Sequence, residues 1–236
     1  MTLLEMLSAM FIMAFVGAAM TELCVSHNVV AFRTTGRVDG VIKARRALAL
    51  IDHDIRAASV FLSTFEPTSS PPGDNAIATW QIPTPSYIAS AQTLIVQEPD
   101  FAFDGYPKPA PKTVVYKILA DKRKPGLGQF VLQRKDFSII GEPQTILTGI
   151  IGPINPSDTV DSIAQTPPPV VFGVISRLTP LYFTKGTFSF GNAALIRGIT
   201  CNLEVYEEST IQRNATAKSL AFRREVYARG NYAANP

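Results

Sequence analysis

The spacing of hydrophobic positions changes twice along this 236-residue chain. From Met6 to Met20 every residue except Ser8 is apolar. As a helix rising 1.5 Å per residue, residues 1–21 would span roughly 31 Å, about the thickness of a bilayer's hydrocarbon core. From Val41 the apolar residues retreat to one side, in "VIKARRALALIDHDIRAASVFL". Val41, Ala44, Leu48, Ile51, Ile55, Ala58 and Leu62 recur at steps of three and four, one face of an amphipathic helix. Lys43, Arg45, Arg46, Asp52, Asp54 and Arg56 fall mostly off that face, with Asp52 and Arg56 at i,i+4 spacing. Gly36 and Gly40 weaken the middle, each by about 1 kcal/mol relative to Ala.

Beyond Glu66-Pro67 the period shortens and Gly, Pro, Asn and Asp divide short runs, the punctuation of strands. The runs are "NAIATWQI" (75–82), "QTLIVQE" (92–98), "KTVVYKILA" (112–120), "GQFVLQRKD" (128–136), "VVFGVIS" (170–176), "TPLYFT" (179–184), "ALIRGITCNLEVYEE" (194–208) and "KSLAFRREVYA" (218–228). No helix-length connections alternate with them, so the pattern predicts an antiparallel sheet. The fold class expected is α+β: a long N-terminal helix, apolar then amphipathic, packed on a β-rich head. Residues 1–27 form the apolar helix for a membrane or filament core, 28–65 its amphipathic half, and 66–236 the head.

Composition sharpens that division. All five Met lie in residues 1–20, and all 18 Pro lie from Pro67 onward. A formal charge of +3 gives no concentrated basic face, so no nucleic-acid partner is expected. Both His, His27 and His53, precede the head, which excludes a Ser-His-Asp triad or a His-based zinc site within it. The head holds one Cys, Cys201, too few for an internal disulfide or a Cys-rich metal cluster. Glu207 and Glu208 would point to opposite faces of a strand. Neither "DNAIATW" nor "NPSDTVD" has the spacing of a calcium loop. No catalytic residue, metal or cofactor is therefore expected, and the head is read as non-enzymatic. A bridge between Cys24 and Cys201 would tie helix to head, and two unpaired thiols are the plainer expectation. "NAT" at 214–216 fits a glycosylation sequon by pattern alone.

One residue contradicts the apolar segment. Glu5 is an acid where lipid exposure costs a few kcal/mol, and no Lys or Arg precedes Arg33. Met1 is either the initiator or the residue left after a leader is removed. "TLLEMLSAM" at 2–10 resembles the mature N-terminus of type IV pilins and pseudopilins. In that family a hydroxyl residue, two aliphatics and Glu occupy positions two to five, and a leader peptidase cuts before residue one and methylates the new amine. The resemblance implies that Met1 is the processed, N-methylated end, although Met stands where the family usually has Phe. It also implies that Glu5 pairs with the Met1 amine of a neighbouring copy. A Pro near position 22 is absent, which leaves Gly17 as the point of flexibility in the apolar helix. "RALALIDHDIRAAS" (46–59) is similar to the second helical half of the larger minor pilins and pseudopilins.

The reading that follows is a structural subunit of an extracellular type IV pilus-like filament. It is held in a bacterial inner membrane before assembly and displayed at the cell surface afterwards. Its partners would be copies of itself in a helical homopolymer, the inner-membrane assembly machinery and the prepilin peptidase. The alternatives are a minor pilin or type II secretion pseudopilin that primes assembly and, from another class, a membrane-anchored β-domain binding module. The last would require neither Glu5 nor the small residues Gly17, Ala18 and Ala19, which permit close helix packing.

Overall fold

In the computed structural model, the described residues are 3–67, 87–99, 105–106, 111–121, 130–139, 142–152, 169–179, 182–187, 195–206 and 219–229. One helix, α1 (Leu3–Ala57), runs unbroken through Gly17, Gly36 and Gly40 for 55 residues. Single glycines are tolerated because each removes only about 1 kcal/mol from a segment propagating from both sides.

The expected helical face stops short of Leu62. Ala58 N donates to Ile55 O at 3.2 Å, the tight closing bond of a last helical turn. Ser59 then leaves the helix, its amide and hydroxyl both donating to Gln97 O at 2.8 and 3.0 Å. β1 (Val60–Phe61) therefore pairs with a sheet strand instead of extending α1. Val60 and Phe61 favour this because branched and aromatic side chains suit a pleated surface.

The other strands are β2 (Thr64–Phe65), β3 (Tyr87–Ile88), β4 (Thr93–Glu98), β5 (Lys112–Ala120), β6 (Phe130–Asp136), β7 (Gln144–Ile150), β8 (Phe172–Thr179), β9 (Tyr182–Thr187), β10 (Ile196–Tyr206) and β11 (Ser219–Tyr227). All pairings described are antiparallel, which gives the α+β fold expected. Nine strands form one sheet in the order β1-β4-β5-β6-β7-β10-β8-β9, with β11 also on β10. β10 pairs with β11 from Gly198 to Tyr206. Because β11 takes one edge of β10, β8 (against Ile196–Cys201) and β7 (against Val205) must share the other. β2 and β3 form a separate two-stranded ribbon. The segment at 75–82 lies outside the described residues.

Seven of the eight expected runs coincide with strands, and the two-residue β1, β2 and β3 and the longer β7 are additions; of these β7 has a local cause. Its register slips between Leu132↔Leu147 and Phe130↔Ile150, where Gly149 turns to φ +74°. Only Gly adopts that conformation without steric cost, so the residue that resembled a break is a bulge inside a strand. Gly198 serves a different need: a Cβ there would stand 2.4 Å from Val226 O. β10 and β11 approach too closely at that point for any side chain.

The principal core lies between the sheet and the second half of α1. Ala44, Ala47, Leu48, Ile51, Ile55 and Ala58 meet Leu94, Val114, Leu132, Phe172, Ile199, Leu203 and Val226. Alternation carries Ile95 and Val115 to the opposite face, where with Ala89 they support Leu62, Phe65, Tyr87 and Phe137. On that face Phe65 and Phe137 rings meet edge-on at 4.9 Å, and Lys117 Nζ sits 5.9 Å above the Tyr87 ring. Burial pushes the Tyr87 phenol up to about 12 and pulls the Lys117 amine down.

Candidate functional site: a projecting apolar helix and its seat

Along residues 3–30 α1 carries its apolar side chains outward on all sides. Leu3, Leu7, Met10, Phe11, Met13, Phe15 and Met20 are all exposed, Phe11 by 74%. It is the one helix, among the described residues, long and apolar enough to cross a membrane. A helix apolar all round is stable only where something covers it. Polar groups on it already serve themselves: Thr21 Oγ1 donates to Gly17 O at 2.7 Å, and Thr34 and Thr35 to Val30 O and Ala31 O at 2.9 Å. Such back-bonding hides a hydroxyl where no water is available. Glu5 and Gly17 are helical, and a Cβ at Gly17 would meet nothing within 4 Å. Met1 lies outside the described residues, and with it the expected Glu5–Met1 pairing.

Two ionic clusters fasten the seated half, and a third lies beside them within the sheet. The first is buried. Asp54 is 1% exposed, and its Oδ2 accepts from Tyr116 Oη at 2.6 Å and from Arg134 Nε at 2.7 Å. Tyr116 and Arg134 are register partners on β5 and β6, so a single carboxylate on the helix spans two strands. Burial, then the Asp54 charge, holds the Tyr116 phenol far above its ordinary range. Burial alone would lower Arg134, but the hydrogen bond and charge of Asp54 outweigh it and raise the guanidinium. The placement of Asp54 off the buried face is thus corrected: its charge suggested exposure, and two donors from the sheet pay for its burial.

The second cluster is at the helix end. Asp52 pairs with Arg56 at 3.0 Å and with Arg224 of β11 at 3.1 Å, while Arg229 N donates to Arg56 O at 3.2 Å. Arg224 of β11 is therefore engaged with the helix. The third cluster lies on the same sheet face, where Lys112 Nζ bridges Glu98 Oε2 at 3.1 Å and Asp136 Oδ2 at 3.3 Å. Burial lowers Lys112, and the Glu98 hydrogen bond and charge, with Asp136, more than restore it.

Cys24 is exposed on the projecting helix and Cys201 is buried beneath the seated half, both free. The bridge considered between them is not formed. Cys24 precedes the first buried helical residue, Ala44, by about 30 Å of helix. Burial pushes the Cys201 thiol up to about 12. Among the described residues no three His, Cys, Asp or Glu side chains gather as metal ligands. Glu207, Glu208 and the sequon at 214–216 lie outside the described residues. No family model matches this chain, and neither does any curated protein or solved structure.

Proposed function

We propose that the chain is a structural, non-catalytic subunit of an extracellular type IV pilus-like filament, which polymerises through α1. One observation carries this reading: half of a 55-residue helix is apolar and uncovered, while its other half completes the head's core. Lipid covers the projecting half before assembly, and the same half of neighbouring copies covers it afterwards. Covering a Leu, Phe or Met side chain fully is worth about 1.5–3 kcal/mol against water, and less against lipid. Apolar contact therefore gives cohesion without choosing a register. Pairing Glu5 with the Met1 amine of the next copy chooses one, because a charge in apolar surroundings tolerates few alternatives.

A minor subunit or a secretion pseudopilin shares the same chemistry at the tip of a filament, and the large head favours it. A membrane-anchored binding module explains the apolar half but gives Glu5 no role. Electron microscopy of sheared surface material, with mass spectrometry of the N-terminus, separates the three. Filaments built of this chain with a trimmed, methylated Met1 are expected. Glu5→Ala should keep the head folded and cut filament yield. Normal filaments from that variant, or an untrimmed chain found only as a membrane monomer, would falsify the reading.

A further inference from the structure

The Lys112 cluster and the Asp54 cluster lie on one face of β4, β5 and β6 and interact electrostatically. From α1 comes Asp54, from β4 Glu98, from β5 Lys112, and from β6 Arg134 and Asp136, while β1 brings no charge. Three carboxylates thus share two cations. Their hydrogen bonds are shared unequally. Asp54 Oδ2 takes Tyr116 and Arg134. Asp136 takes Ser138 N and Oγ on Oδ1 at 3.0 and 2.6 Å, and Lys112 on Oδ2. Glu98, only 6% exposed, has Lys112 on Oε2 and, among the described residues, no partner on its buried Oε1.

An excess negative charge with a bare buried oxygen is costly, and the cheapest remedy is a proton on that oxygen. We propose that Glu98 is seated in the fold as a neutral acid at pH values where an unfolded glutamate is already ionised, and that its ionisation at higher pH loosens α1 from the head. On ionising, Glu98 releases its proton to solvent and becomes a second buried anion near Asp54. The two then repel across the interface between helix and sheet, and Lys112, already shared with Asp136, cannot neutralise both. Burial first, and then the Asp54 charge, raise Glu98 from its ordinary value, against the partial opposition of Lys112 and Arg134. A folded-state value above the unfolded one means that the stabilisation is full below the unfolded value, about pH 4.3, and is lost as pH rises through the folded value. The device fastens at lower pH and slackens as the pH rises. It holds whether or not the chain forms a filament.

The test uses the full chain in detergent micelles. The 13C resonance of the Glu98 carboxyl is followed against pH, assigned by its loss in Glu98→Gln, and denaturant unfolding of the head is measured in parallel. The Glu98 midpoint should lie above that of the same residue in the unfolded chain. Between the two midpoints the folding constant of the native chain, taken relative to that of Glu98→Gln, should fall by up to about tenfold per pH unit. Asp136→Asn frees Lys112 for Glu98 and should move the midpoint down. A Glu98 midpoint at or below the unfolded value overturns the proposal, as does an unchanged slope in Glu98→Gln. If that variant does not fold, the native titration, assigned by triple resonance, decides alone.

Discussion

The two halves of α1 share one continuous backbone, yet they stand in opposite environments. Leu7, Phe11 and Phe15 face outward, whereas Leu48, Ile51 and Ile55 are buried against the sheet. Local propensity does not separate them, because hydrogen bonding is continuous from Leu3 to Ala57. What separates them is the polar pattern. The seated half confines its apolar residues to one stripe and adds one fully buried acid, Asp54, for which the sheet supplies two donors. The projecting half has no polar side across Met6–Met20. A stripe needs one surface, and a cylinder needs a surrounding.

The sharpest way to break this comparison is Asp54→Ala. It strands Arg134 and Tyr116 under the helix and should cost about 3–5 kcal/mol of head stability in denaturant titration. Ile51→Ala follows at about 2–5 kcal/mol. Phe11→Ala should shift the same head transition by less than about 0.5 kcal/mol and show instead in membrane partitioning or filament yield. Equal effects from Ile51 and Phe11 would dissolve the distinction between the halves.

The thiols sharpen it further. A maleimide at neutral pH should label Cys24 in the native chain and reach Cys201 only on unfolding. Because burial raises Cys201 to about 12, its contribution to stability is intact below the unfolded value of about 8.5 and is lost as pH rises towards 12. Cys201→Ala should remove that alkaline decline. The smallest effect is expected from Lys43→Ala, which breaks an exposed pair with Asp39 and should cost no more than about 0.5 kcal/mol in thermal melts.

Much of this was legible in residue spacing. The seated stripe reads correctly from Ala44 to Ala58, and β5 has the bounds that its alternation suggests, Lys112–Ala120. The failures have physical causes. β7 was missed because Gly149 and Pro143 look like punctuation, and nothing local reveals that the glycine is a bulge paired on both sides. The helix end was misplaced because Leu62 continues the period, although the bonds that end α1 come from Gln97, far along the chain. Asp54 was misjudged because a charge implies solvent unless its partners are known, and those partners are 62 and 80 residues away. For the candidate site, the projecting apolar half could be read directly, whereas its ionic seat depends on tertiary pairing and could not.

The contact between Arg229 N and Arg56 O has a temporal meaning. The bed on which the helix rests is completed by β11, and Arg224 reaches Asp52 across 172 residues of sequence. Such long-range closure is slow, since loop entropy is lost before contact rewards it. On a ribosome the seated half of α1 emerges before the strands that cover it, and β11 comes last of these. The helix's apolar stripe therefore stays uncovered while the remainder of the chain is still being made.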